Sequence, residues 1–309
     1  MPQCLDAPPR CRAGLDESDN MVSISSAAAD SGSHHTSRAL SWKREILLIG
    51  VVYGAYTLVR NQFGSARLTF GARSAAFRDA LRVINIERDL RMFHELTVQR
   101  WFLDTPIIPF FNLYYGIAHF VVTIAVLVWL LVKRPTNFRR WRSALLITTV
   151  LGVVGYSAFP LMPPRLLNAG GPYGSGTVVA TKAVDYPFTD TLSADPTAWS
   201  FDSGPVAQLS NQYAAMPSLH VAWSTWCALA IIACSKRRRL RWLAIAHPIL
   251  TLLATVVTAN HYFLDAIGGL TVLGLGYLGA LGIERFSARS QARRIEQDAD
   301  QGVEQGLAA

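Results

Sequence analysis

Five residues in three short stretches of this 309-residue chain have the types and spacing from which chemistry can be assembled. In His261-Tyr262-Phe263-Leu264-Asp265 the two ionisable side chains lie four apart, so on a helix they share a face and can hydrogen-bond. A carboxylate on one ring nitrogen fixes the tautomer and makes the other nitrogen a better nucleophile or base. In Pro217-Ser218-Leu219-His220 the proline suits the first turn of a helix, whose free N–H groups favour an anion. Ser218 can donate to that anion, and His220 can deliver a proton to a leaving oxygen. Pro163-Pro164-Arg165 holds a guanidinium on a stiff stem, a group suited to bidentate phosphate recognition. The set comprises a nucleophile, its orienting acid, a general acid and an anion clamp, which phosphoryl transfer through a covalent intermediate can use. His220, His261 and Asp265 are also of metal-ligand type, although Arg165 beside them would repel a cation.

The elements that must hold these residues are membrane helices. Only 16% of the chain is charged, against about 25% in soluble proteins, and the charges cluster between long uncharged runs. Ile107 to Val132 is 26 residues without Lys, Arg, Asp or Glu. A helix of that length rises about 39 Å, more than the roughly 30 Å hydrocarbon core. Ser143 to Met162, Pro217 to Ser235 and Trp242 to Asn260 are equally free of charge, and Tyr262 to Ile283 carries only Asp265. A weaker run from Ile46 to Val59 needs its flanking Lys43, Arg44 and Arg60 to snorkel. The expectation is an all-α polytopic membrane protein with six transmembrane helices near 46–59, 107–132, 143–162, 217–235, 242–260 and 262–283. They form one unit over 38–286, with a disordered tail at 1–37 and a polar tail at 287–309. The six glycines Gly268, Gly269, Gly274, Gly276, Gly279 and Gly282 read as a close-packing face. The four cysteines supply neither a disulfide framework nor metal spacing.

Orientation follows from the basic residues. The net charge of +8 alone would fit a nucleic-acid binder. Ten of the 29 basic residues, however, sit in two short acid-free loops, Lys133 to Arg142 and Lys236 to Arg241, which makes them signals for cytoplasmic placement. Nucleic acid is therefore not an expected partner. Both termini then lie inside, and Arg165, Ser218, His220, His261 and Asp265 gather at one depth near the outer face. The segment from Arg60 to Asp104, with eight Arg against five acids, is expected outside, as one or two amphipathic helices on the membrane surface. If 46–59 is not a span, the N-terminus is outside instead. His119 falls too deep in the second span for outer-face chemistry, and His247 stands apart; both read as packing residues.

The motifs resemble those of the type 2 phosphatidic acid phosphatase superfamily. Pro217-Ser218-Leu219-His220 and His261 through Asp265 are similar to its second and third signatures. The fuller stretches, Ala215 to His220 and Asn260 to Asp265 with Pro163-Pro164-Arg165 upstream, look more like its inositol phosphorylceramide synthase branch. The resemblance implies a six-helix membrane enzyme that forms a phosphohistidine on His261, with Asp265 orienting it, His220 as general acid, and Ser218 and Arg165 binding phosphate. It implies no cofactor and no metal.

Two departures stand out. Leu219 occupies a position where the superfamily commonly has Gly, and Ala254, Thr255 and Ala158 stand where its first and third motifs have Ser, Arg and Lys. The missing anion contacts fall either to Arg165 with backbone donors or to an Arg of the 60–104 segment. The expected activity is transfer of a phosphorylated head group between a lipid and a polar acceptor such as a polyol. Its alternatives are a lipid phosphate phosphatase and, in another class, a noncatalytic lipid-phosphate carrier or transporter. The segment from Leu166 to Tyr213, about 48 residues, is long enough to be a lid over such a site.

Overall fold

In the computed structural model, residues 70–167, 186–194 and 213–308 are described, with Glu45, Leu47, Gly50, Val51 and Gly54 as isolated helical positions. The expected tail at 1–37, most of the weak run 46–59 and most of the 166–213 segment lie outside them. The described residues are helical apart from turns and one isolated bridge between Leu161 and Ala214.

Two helices precede the bundle, α1 (Phe70–Asp89) and α2 (Glu95–Leu103). They are followed by α3 (Ile108–Lys133), α4 (Pro135–Ala158), α5 (Leu219–Cys234), α6 (Arg238–Val257) and α7 (Phe263–Ala308). α3, α4, α6 and α7 are long and apolar enough to cross a membrane. α5 is apolar but has 16 residues, a rise of about 24 Å. The structure thus supports a polytopic membrane protein with four candidate spans among the described residues.

Helix ends depart from the uncharged runs because proline sets them. Pro135 takes the first position of α4, where its missing N–H costs nothing. The basic stretch 133–142 is therefore mostly the first turns of that helix. α4 stops at Ala158, ahead of Pro160, and Arg165 sits on a separate 3-10 turn, Pro164–Leu166. α7 continues to Ala308 through the stretch expected as a polar tail, where Ala, Glu, Gln and Arg are strong helix formers.

The two basic stretches share one end of the bundle: Arg134 Nε donates to the Cys234 carbonyl at 2.7 Å. Arg140 pairs with Glu284 there, and Arg142 pairs with Glu45. Arg165, His220 and His261 lie at the opposite end. That end is closed by α1, whose Phe77, Ala80 and Ile84 pack with Leu161, Met162, Leu166, Tyr213 and Tyr262 in one apolar cluster. Of the one or two helices expected over 60–104, the described part shows two, and the buried face of α1 packs on protein.

Candidate active site

The link between α6 and α7 is built tightly. Thr258 ends α6 and Ala259 follows with φ 51°. The Asn260 N–H then returns to the Thr255 carbonyl at 2.9 Å and the Ala259 N–H to the Val256 carbonyl at 2.9 Å, the bonding of a Schellman motif. Such a motif ordinarily takes glycine at the left-handed position. Alanine there stores about 1–2 kcal/mol of backbone strain, held by a fully buried environment.

His261 comes next, outside the helix. Its Nδ1 lies 3.2 Å from Asp265 Oδ2. A carboxylate only accepts, so Nδ1 carries the proton and Nε2 keeps its lone pair. Asp265 Oδ2 also accepts the Tyr262 N–H at 2.9 Å, the reach-back half of a capping box. His261 and Asp265 therefore meet because the carboxylate caps α7, and not because they share a helix face. Nε2 faces His220 Nδ1 at 3.2 Å, which must then be the donor. The three groups form one line, Asp265 to His261 to His220, with Asp265 fully buried and His261 3% exposed.

Ser218 caps α5, its Oγ accepting the Val221 N–H at 3.4 Å, and its own N–H donates to the Asp265 carbonyl at 2.9 Å. α7 reaches this position closely because residue 269 is glycine: a Cβ there would stand 2.3 Å from the Ser218 carbonyl oxygen. Gly269→Ala is expected to force two backbones apart at a cost of about 1–3 kcal/mol, read as a lower unfolding midpoint in detergent; an unchanged midpoint would contradict this contact. Leu219, at the position where a glycine was noted as usual, lays its side chain on Gly152, where a Cβ would meet Leu219 Cδ2 at 2.6 Å.

Arg165 is buried against the same link. Its N–H donates to the Ala259 carbonyl at 2.8 Å, and its Nε donates to Asn260 Oδ1 at 2.9 Å. Its Nη1 pairs with Asp190 Oδ2 at 2.7 Å. Asp190 in turn accepts from the Leu192 and Ser193 N–H groups and the Ser193 hydroxyl. Gln99 and Asn112 pin this stretch to α2 and α3 through Thr189 and Thr191. The five expected residues are thus brought together, and Asp190 joins them.

Three further contributions were not foreseen. α3 contains a π turn at Tyr114–Ala118, a feature common at functional sites. It sets Tyr115 in a stack on His220 with ring centroids 4.5 Å apart, and the His119 ring 4.1 Å from the same histidine. His119, set aside for its place far along α3, therefore packs against His220. The remaining two are Glu87 and Glu95, fully buried, which accept the Leu264 N–H at 2.7 Å and the Phe263 N–H at 2.9 Å. The 60–104 segment therefore brings acids to the site, while Arg78, Arg82, Arg88, Arg91 and Arg100 are exposed. A signal existed: Glu87 continues the spacing of Phe77, Ala80 and Ile84 on the buried face of α1. His247 stands apart as expected, its Nδ1 bonded to the Tyr114 hydroxyl at 2.6 Å. Thr255, at the missing arginine's position, is buried and donates to the Leu252 carbonyl. Among the described residues no group of three or more His, Cys, Asp and Glu is placed to hold a metal ion.

Comparisons with curated proteins and with solved structures gave no match. The comparison with protein families matched residues 81–279 to the PAP2 superfamily, a stretch that begins in α1 and takes in the whole hydrogen-bonded line described above. The chain belongs to the PAP2 superfamily and is a membrane enzyme of the phosphatase or phosphotransferase type.

Proposed function

We propose that the protein moves a phosphorylated head group from a lipid to a polar acceptor such as a polyol, through a phosphohistidine on His261, as in the inositolphosphotransferase branch. The observation that carries this reading is the line from Asp265 through His261 Nδ1 and Nε2 to His220 Nδ1. It leaves a lone pair on one histidine and a proton on the other. The phosphoryl group enters between the rings. The Nε2 lone pair forms the N–P bond, the P–O bond to the leaving group breaks, and the His220 proton passes to the departing oxygen. In the second half the acceptor hydroxyl gives its proton to His220 as its oxygen attacks phosphorus and the N–P bond breaks.

Arg165 and Ser218 bind the phosphoryl oxygens in this scheme, and Arg165 exchanges Asp190 for the incoming anion. No cofactor takes part. The reaction faces the extracytoplasmic side with both termini cytoplasmic, because the site lies at the end of the bundle opposite the basic residues Arg134, Arg140 and Arg142. A phosphatase differs only in that water resolves the phosphohistidine.

The deciding assay incubates purified protein in lipid vesicles with a phosphorylated lipid donor, with and without inositol. A new phosphorylated product that requires the polyol is the expected result. Release of inorganic phosphate at the same rate with and without polyol would replace transferase by phosphatase. Binding of the lipid without any turnover would leave the carrier reading in place of both.

A further inference from the structure

The buried pair Glu87 and Glu95 has a bonding problem that only a proton solves. The pair is assembled by the turn between α1 and α2, where Arg91 adopts φ 56° and the Met92 N–H returns to the Glu87 carbonyl at 2.6 Å. Each carboxyl spends Oε1 on one backbone N–H of α7's first turn. The other oxygens, Glu87 Oε2 and Glu95 Oε2, are buried with no donor among the described residues. The two carboxyls take the amides of adjacent residues, which sets them side by side at the first turn of α7. Two ionised carboxylates offer only acceptors, so a bond between them requires a proton.

We propose that Glu87 and Glu95 share one proton and act, as a singly charged acid pair, as positioning residues that hold the Phe263 and Leu264 amides, and through them His261 and Asp265, in the reactive arrangement. The negative charge of the pair suits the positive end of α7. The proton keeps a second charge away from Asp265, which already caps the same turn.

The acids facing Glu87, Glu95 from α2 and Asp265 from the start of α7, favour that proton, while the Leu264 N–H that its Oε1 accepts opposes it. The Tyr262 hydroxyl and, beyond it, Tyr186 from the 186–194 stretch also lie beside the pair. On α1 itself the Arg88 guanidinium lies over the Phe93 and Tyr186 rings. Burial, followed by the neighbouring Glu95 carboxyl, pushes Glu87 up from the ordinary 4.5 to about 9. A folded value raised in this sense stabilises fully below the ordinary carboxylate value, and the contribution is lost as pH rises through the folded value. Above about pH 9 the pair becomes doubly charged against Asp265, and the first turn of α7 loosens.

The positioning role rests on the phosphohistidine reading for its activity arm, so its test includes a measurement that needs no turnover. Infrared pH-difference spectra of the full-length protein in vesicles should show a protonated carboxyl band at neutral pH that fades above about pH 9. The band should be absent from Glu87→Gln. No such band in the wild type, or one that survives in both Glu87→Gln and Glu95→Gln, overturns the proposal.

In turnover, Glu87→Ala should lower kcat by about 10²-fold, the scale of a reacting group displaced by about 1 Å, with little change in KM. Glu87→Gln, whose amide donates to Glu95 and whose oxygen accepts from Leu264, should restore most of that loss. It should also lack the wild type's alkaline decline in kcat. An alkaline limb that persists in Glu87→Gln overturns the positioning role. If the band behaves as expected while no variant and no wild-type protein turns over a phosphorylated lipid, the shared proton stands and the phosphohistidine reading falls.

Discussion

His261→Ala is expected to abolish turnover, with kcat reduced by at least about 10⁴-fold, the scale on which enzymes lose a covalent nucleophile. The residue offers the reaction an Nε2 lone pair, fixed by the proton that Asp265 holds on Nδ1 at 3.2 Å. Ala supplies no nucleophile, and water attacking phosphorus directly would meet a His220 that still carries its proton and cannot act as its base. The covalent step can be read separately from turnover. Rapid denaturation of the wild-type enzyme with labelled donor should trap a phosphoprotein that is labile in acid and stable in base, and His261→Ala should trap none. The fold has reason to survive, because Asp265 keeps its bond to the Tyr262 N–H and Ser218 keeps its bond to the Asp265 carbonyl. An unchanged circular dichroism spectrum provides that control. A variant that still turns over substrate at a comparable rate would sink the mechanism.

His220→Ala should show a loss whose size depends on the leaving group. General acid catalysis contributes about 10²–10⁴-fold, and that factor should be lost in full when a lipid alkoxide departs, because an alkoxide is a poor leaving group. With a nitrophenyl phosphate the departing phenolate needs no proton, so the same substitution should cost far less. A similar loss for both substrates would give His220 a role in holding the phosphoryl group and not in protonating the leaving oxygen. The structure supplies the geometric basis, since His220 Nδ1 points its proton at His261 Nε2, 3.2 Å away. The Tyr115 and His119 rings fix the plane of the imidazole.

How much of this could be read from the chain differs from residue to residue. The membrane helices α3, α6 and α7 were legible because a long uncharged run has few other uses, and their ends were not, because Pro135 and Pro160 and not charge decide where α4 begins and stops. His261 and Asp265 were legible from their spacing, although the reason they meet is a helix cap and not a helix face. Arg165, Ser218 and His220 were legible because each follows a proline in a short motif. Glu87 and Glu95 were not, since acids in an arginine-rich amphipathic stretch look solvated. Their partners Leu264 and Phe263 lie 177 and 168 positions away. Asp190 was hidden for a related reason: its value comes from Arg165, 25 positions away. The neighbours of His119 were not legible, because depth in a straight helix did not show that its ring packs beside that of His220.

Leu219 and Gly152 place a constraint on how a chain of this kind can change. A methyl group at 152 would press into the Leu219 side chain at 2.6 Å, so that side chain would have to shift. Removing a side chain leaves a cavity, a cost that a packed interior survives more readily than an atom for which there is no space. The two replacements are therefore not interchangeable in order. A lineage can lose the side chain at 152 first and later enlarge 219, whereas the reverse order must push the new leucine side chain aside next to His220. The leucine in the motif is thus permitted by a residue in another helix, and a search that demands glycine at 219 would pass over chains that keep the same free space one helix away.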